Sequence, residues 1–263
     1  MRKNLKALFL ALAKNRVTTV AGAWVFFFLS ALLPLTFLFV TAFGVFGVDL
    51  SLWFISTLPE ELREGGTVLV ETAKRASNGT TFLFVCVVIF SSSSLLHQMR
   101  KDGNAIYGAD LKFRRTVNAR ILAILSIIGL FVVLVLCAFL SIFGKEVANR
   151  YLETYRARVI TSTVTGVGTT LLAYFAVVFL NKYVCPFKTK LKDLSLGALL
   201  SLSIVFLTTF GVWAYLRLFG KVNALYGAMS GITVFLLWSY FVMTGLVAGV
   251  VVNRHFFSKR LGD

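Results

Sequence analysis

VTTVAGAWVFFFLSALLPLTFLFVTAFGVFGV, residues 17–48, is the stretch that decides the fold of this chain. Its thirty-two residues include no charged side chain. A helix needs only about 20 apolar residues to cross the hydrocarbon core of a bilayer, and this run would be roughly 48 Å long as a single helix. The run therefore predicts a membrane-spanning helix that tilts, bends or extends into the head groups.

A bend in this first span is predicted at Pro34, which has no N–H and whose ring crowds the carbonyl of Ser30. The freed carbonyl and the Ser30 hydroxyl then lie near the middle of the membrane, where unpaired polar groups are costly. We expect neighbouring helices or a hydrated cavity to satisfy them. Two interpretations stay open, a kink that the neighbouring helices tolerate and a broken helix that lines a binding site.

The composition is that of a polytopic membrane protein, because 58% of the 263 residues are hydrophobic and the mean hydropathy is +0.84. We predict a single all-α membrane domain over residues 1–263. The three cysteines form no CxxC pair and indicate neither a disulfide framework nor a metal site. The formal charge of +16 is spread over short loops, so we interpret it as a topology signal and predict no nucleic-acid partner.

Apolar runs predict six transmembrane helices, near residues 17–48, 80–98, 119–143, 160–184, 193–219 and 226–252. Residues 1–16 are basic and amphipathic, which is typical of a segment lying on an anionic membrane surface. A signal peptide cleaved near Ala11-Leu12-Ala13 is the alternative. We interpret 49–79 as an extracytoplasmic loop with two short interfacial helices, broken at Gly65-Gly66.

Lysine and arginine are distributed unequally between the two sides of the predicted membrane. With the N-terminus inside, the inner segments hold 18 of these residues and the outer segments hold 9. The positive-inside rule then predicts that both termini and the loops at 99–118 and 185–192 lie in the cytoplasm.

Polar residues in the spans favour helix packing or a hydrated cavity rather than catalysis. The second span ends in four serines, residues 91–94, followed by His97. No carboxylate lies well inside any predicted span, and no nucleophile is paired with a base at a recognisable spacing. We therefore predict no enzymatic activity, no catalytic residue, no metal site and no cofactor.

An internal echo relates the two halves of the chain. NAIYGA at 104–109 follows the second span, and NALYGA at 223–228 follows the fifth. Three spans in each half would give the halves opposite orientations, which is the inverted-repeat architecture of many transporters. A chance match between short apolar segments is the alternative.

The sequence resembles the YihY/BrkB family of membrane proteins from about residue 15 to 254. The resemblance rests on SALLPL at 30–35, NAIY at 104–107 with the arginines that follow, Pro186, Tyr226-Gly227, and LWSY at 237–240. The family commonly ends its last span in Gly-Ala-Glu-Leu-Asn. Here the matching stretch is GVVVN at 249–253, so Val251 replaces the acid and puts any role of that carboxylate in doubt.

The resemblance implies six spans in a bacterial inner membrane and a role in the cell envelope, with lipid export among the activities linked to the family. It also carries a historical ribonuclease BN label, for which this sequence offers no catalytic cluster. We expect a transporter or flippase-like protein that handles an anionic lipid or amphipathic envelope component, with lipid head groups at the cytoplasmic face as partners. The alternative is a non-transporting envelope scaffold, and a ribonuclease or lipid-modifying enzyme has the least support. The candidate cavity-lining or substrate-binding residues are Ser30, Pro34, Ser91, Ser94, Asn104, Tyr107, Asn223, Tyr226, Trp238 and Asn253.

Overall fold

The computed structural model describes residues 10–45, 55, 60–75, 78–109, 155–187, 189–219 and 228–261. The long helices within these ranges are α1 Val17–Val45, α2 Glu60–Arg75, α3 Asn78–Tyr107, α4 Tyr155–Val184, α5 Leu191–Phe219 and α6 Ala228–Leu261. These ranges contain no strand, so the predicted all-α class is confirmed for them.

Three helices are long and apolar enough to cross a membrane, at Thr163–Val184, Leu191–Leu218 and Ile232–Phe256, and a shorter apolar stretch lies at Val17–Ala31. They correspond to the first, fourth, fifth and sixth predicted spans. The third predicted span, 119–143, lies outside the described residues, so the count of six spans stays a prediction.

Helix α2 shows that the predicted break at Gly65-Gly66 was wrong, because it runs without interruption from Glu60 to Arg75. Glycine costs about 1 kcal/mol in a helix interior, and that cost was the reason to predict a break. The buried positions Gly66 and Val70 lie one turn apart on a single face. Helix α2 packs against α1, and tertiary packing of this kind commonly outweighs intrinsic propensity.

The described residues form two compact units. The first unit contains residues 10–15, 100–109, 155–187, 189–202 and 248–261, and the second contains 16–45, 55, 60–75, 78–99, 203–219 and 228–247. Val184 and Val251 are fully buried in the first unit, and Trp24 and Val247 are fully buried in the second. Helices α3, α5 and α6 each contribute to both units, and a single membrane domain over 1–263 stays a prediction.

Candidate functional site

Asn253 on α6 is the polar centre of the first unit, with only 2% of its surface exposed. Its Oδ1 accepts a hydrogen bond from the Gly197 N–H of α5 at 2.8 Å. Its Nδ2 donates to Asn181 Oδ1 of α4 at 3.1 Å and to the Leu194 carbonyl of α5 at 3.2 Å. A buried amide in an apolar environment is costly unless it is paired. These four residues, the amide cluster, therefore tie α4, α5 and α6 together.

Close contact between α5 and α6 surrounds this amide cluster. A Cβ on Gly197 would collide with the Gly249 carbonyl oxygen and with the Asn253 side chain, and a Cβ on Gly249 would collide with Ser201 Oγ and the Gly197 carbonyl. Small residues spaced by four positions allow membrane helices to approach until their backbones touch. Gly197 and Ser201 have this spacing, so the crossing of α5 and α6 within the first unit is tightly packed.

Helix α3 ends in the same unit through a glycine cap. Gly108 has a φ of 69°, which a side chain would strain. Its N–H donates to the Ala105 carbonyl at 3.2 Å, and the Ala109 N–H donates to the Asn104 carbonyl at 2.8 Å. These two bonds are the Schellman pattern of a helix C-terminus. The first copy of the internal echo, residues 104–109, therefore forms the C-terminal cap of α3.

Tyr107, the last residue of α3, is buried beside the loop that follows α4. Its ring meets Phe187 edge to face at 6.1 Å, and its hydroxyl hydrogen-bonds Cys185. Thr189 Oγ1 lies 3.9 Å from the same sulfur. Burial raises the pKa of the Tyr107 phenol well above its usual range, Cys185 adds to the rise, and the charge of Arg254 opposes it. Tyr107 is therefore a neutral hydrogen-bonding group at physiological pH.

Basic side chains lie in the same segments of the first unit. Arg100 Cζ is 5.4 Å from the centre of the Tyr183 ring, a cation–π distance that holds the guanidinium over α4. The acids of the first unit whose side chains are described are Asp102 and Asp193. Lys14 is also a described cation of this unit. We call the other described cations, which lie on α3 to α6 or directly before α5, the basic rim, and it consists of Arg100, Lys101, Lys182, Lys190, Lys192 and Arg254.

The structure groups only some of the candidate residues. Asn104, Tyr107 and Asn253 belong to the first unit, whereas Ser30, Pro34, Ser91, Ser94 and Trp238 belong to the second. Asn223 and Tyr226 lie outside the described residues, as does the second copy of the echo up to position 227. The inverted repeat therefore stays a prediction, and so does a shared site for all ten residues.

Two candidate serines in the second unit, Ser30 and Ser94, have hydroxyls that bond within their own helices. Ser30 Oγ donates to the Phe26 carbonyl at 2.9 Å, and Ser94 Oγ donates to the Phe90 carbonyl at 2.9 Å. The expectation that neighbours or water must satisfy the Ser30 hydroxyl was therefore wrong, because the preceding turn supplies an acceptor. Helix α1 continues through position 34.

Trp238 and Ser239 occupy the second unit at the part of α6 that resembles the family. Trp238 Nε1 donates to Thr209 Oγ1 of α5 at 3.1 Å, and its ring stacks on Phe235 at 5.8 Å. Ser239 is 1% exposed, and its Oγ has no hydrogen-bond partner among the described residues. Trp238 therefore links α5 to α6, and its role as a cavity-lining residue stays a prediction.

Sequence reasoning missed Asn181, Gly197 and Arg100. An asparagine inside the predicted span 160–184 was a signal, since polar residues in spans usually have a partner. The Gly197 and Ser201 pair was another, through its four-residue spacing. Arg100 was counted only as a topology marker. Among the described residues, no group of three His, Cys, Asp or Glu side chains is arranged to hold a metal ion.

A family model described as Virulence factor BrkB matches residues 8–261. This match covers nearly the whole chain and includes every residue of the amide cluster and of the basic rim. No curated protein matches the chain, and no solved structure matches it.

Proposed function

We propose, from the premise that the chain belongs to the BrkB virulence factor family, that it transports or flips an anionic lipid or another amphipathic component of the bacterial envelope. The chain is an integral membrane protein with several apolar helices. We further place it in the inner membrane with both termini in the cytoplasm. Membrane lipids with anionic head groups are its proposed partners, and the proposal includes no nucleic acid, cofactor or catalytic residue.

The basic rim, in the same unit as the amide cluster, is the observation that carries this proposal. The first unit has seven described cations, the six of the basic rim and Lys14, against two described acids, so its charge attracts anions. A lysine or arginine near an anionic membrane surface contributes about 1 kcal/mol of attraction. Arg100 is already positioned over Tyr183, which lowers the entropy lost when it binds a head group.

The directions of the helices support the idea that the cations of the basic rim lie at the same end of the first unit. Gly103 of α3 meets Val184 at the end of α4, and Asn253 near the end of α6 meets Gly197 near the start of α5. Successive spans α4, α5 and α6 therefore alternate in direction within the first unit. The positive-inside bias of 18 to 9 supports a cytoplasmic position for this end, where anionic lipids concentrate.

Cysteine accessibility tests the orientation. A single cysteine placed at position 4 in a cysteine-free background should be labelled by an impermeant reagent only after the cells are opened. Labelling in intact cells would place the N-terminus outside and remove the cytoplasmic assignment of the basic rim.

A non-transporting envelope scaffold is the second candidate, and the contact between Gly197 and Gly249 favours it. Backbones that touch leave no room for a substrate at that crossing. A ribonuclease or a lipid-modifying enzyme has less support, because the sequence pairs no nucleophile with a base and supplies no metal-binding carboxylates in its spans.

Reconstitution separates transport from the scaffold. The purified protein is placed in liposomes containing labelled phosphatidylglycerol, and movement of the label between leaflets is followed beside protein-free liposomes. We expect the parent to accelerate this movement. The double variant Arg100→Gln, Arg254→Gln should lose most of the acceleration, whereas the control Arg63→Gln, Arg75→Gln should keep it. A folded parent that moves no label would favour the scaffold.

A further inference from the structure

We infer that Arg217 and Trp213, near the end of α5, form a binding site for the phosphate of a membrane phospholipid. This site is independent of the basic rim and of the proposed transport activity. It lies in the second unit and is built from one helix, with Phe210, Trp213 and Arg217 at spacings of three and four residues. Side chains at these spacings share a helix face.

Aromatic side chains on this helix face hold the Arg217 guanidinium in place. The rings of Phe210 and Trp213 stack with centroids 5.7 Å apart at an angle of 30°. Arg217 Cζ lies 5.2 Å from the centre of the Trp213 ring, within cation–π range. Trp213 is 52% exposed and Phe210 is 57% exposed, so the stack lies on the surface rather than in the core.

The sequence places Arg217 at the level of the lipid head groups. Positions 194–216 contain twenty-three residues without a charge, and Arg217 is the first charged residue after them. As a helix this run is about 35 Å long, slightly more than the roughly 30 Å hydrocarbon core. The guanidinium therefore reaches the interface at the C-terminal end of α5, where tryptophan rings are also favoured.

The guanidinium is available for an anion. Among the described residues Arg217 has no carboxylate partner. A cation–π contact with Trp213 uses the positive charge of the guanidinium and does not consume its N–H donors. The planar fork of these donors matches two phosphate oxygens at once. The phosphodiester of a phospholipid is the anion present at this depth.

Apolar exposure beside the cation selects a lipid over free phosphate. Leu218 is 77% exposed and Phe210 is 57% exposed on the helix that carries Arg217. A phospholipid presents its phosphate and its acyl chains to these two kinds of surface together. Inorganic phosphate contacts only the guanidinium and has to compete with water for it.

Native mass spectrometry tests the site with three probes, namely phosphatidylglycerol, phosphatidylcholine and inorganic phosphate. We expect Arg217→Gln to weaken the retention of both lipids about fivefold, the effect of losing one interfacial cation. Trp213→Leu keeps the charge and should weaken retention about twofold to fivefold through the lost cation–π contact. Arg217→Lys keeps a charge without the planar fork of donors, so its lipid retention should lie between that of the parent and that of Arg217→Gln.

The control is Arg75→Gln, because Arg75 is an exposed cation of the second unit that pairs with Glu71 at 3.5 Å. It should retain lipid like the parent. Thermal unfolding in detergent shows that each variant is folded. Equal lipid retention by Arg217→Gln and Arg75→Gln would overturn the site, as would displacement of the lipid by millimolar inorganic phosphate. Loss of retention in a protein that still moves lipid between leaflets would support this site alone.

Discussion

Asn253 Nδ2 lies 3.1 Å from Asn181 Oδ1, and this hydrogen bond joins α6 to α4 inside the first unit. The same Asn253 amide also reaches Gly197 and Leu194 of α5. One side chain therefore fixes the relative position of three helices. Hydrogen bonds of this kind between membrane helices contribute about 0.6 kcal/mol on average and up to about 1.7 kcal/mol.

Removal of this side chain should be costly. We expect Asn253→Ala to lower the free energy of unfolding by about 1–3 kcal/mol, since it breaks these contacts and leaves Asn181 Oδ1 without its donor. Denaturant unfolding in detergent measures the loss. Asn15→Ala is the control, because Asn15 bonds only the Ala11 carbonyl of its own turn at 2.7 Å. A double-mutant cycle of Asn181 and Asn253 with no coupling would contradict the contact.

The glycine crossing predicts opposite effects of one substitution at two sites on α5. Gly197→Ala should destabilise the protein by about 1–3 kcal/mol, because the new methyl group collides with the Gly249 carbonyl and Asn253. Gly211→Ala adds the same methyl group where nothing beyond the adjacent backbone of its own helix lies within 4 Å. It should be neutral or stabilise by up to about 1 kcal/mol through helix propensity. Equal thermal stability of the two variants would show that α5 and α6 are not in close contact.

Alkaline pH should reveal the burial of Tyr107. The folded-state pKa of its phenol is raised above the unfolded value of 10.0, so its contribution to stability is complete below about pH 10 and is lost as the pH rises further. We expect Tyr107→Phe to lose less stability than the parent between about pH 10 and pH 11.5. Unfolding midpoints measured across this range give the comparison. Parallel losses in parent and variant would place the phenol in water.

Pro34→Ala separates the two interpretations of the first span. The change restores an N–H and removes a ring, so the protein should fold at least as well as the parent, with up to about 3 kcal/mol of intrinsic helix cost relieved. If a bend at this position shapes a cavity, the variant should fail to complement an envelope defect at matched expression. Ser30→Ala should be milder, since its hydroxyl bonds its own helix. A stable and fully active Pro34→Ala protein would favour the scaffold.

Helix positions were predictable where bilayer thickness sets them. The predicted spans 160–184 and 193–219 agree with Tyr155–Val184 and Leu191–Phe219, because the length of an apolar run is constrained by the hydrocarbon core. The end of α6 was not predictable in this way, since Leu261 lies nine residues beyond the predicted end at 252. Bilayer thickness does not limit how far a helix continues into polar residues beyond its span.

The hydrogen-bond partners of Asn253 could not be predicted from a single sequence. The residue itself was a candidate, but the residues it contacts are 56, 59 and 72 positions away in the chain. Their identity depends on which helices are neighbours, and apolar spans pack in many arrangements with similar burial. In contrast, the Gly108 cap depends only on residues close in sequence, and a glycine at the end of a helix is a common signal for such a cap. In the sequence, the same segment indicated only a repeat.

Backbone contact between Gly197 and Gly249 has a consequence for motion. Helices that slide past one another need side chains that can change rotamer between them, and Gly197 and Gly249 bring the two backbones together with no side chain of their own. We expect α5 and α6 to hold their spacing here in every state that the protein visits. Spin labels on exposed positions flanking the crossing would then report one constant distance, and displacements elsewhere in the molecule can be measured from that fixed reference.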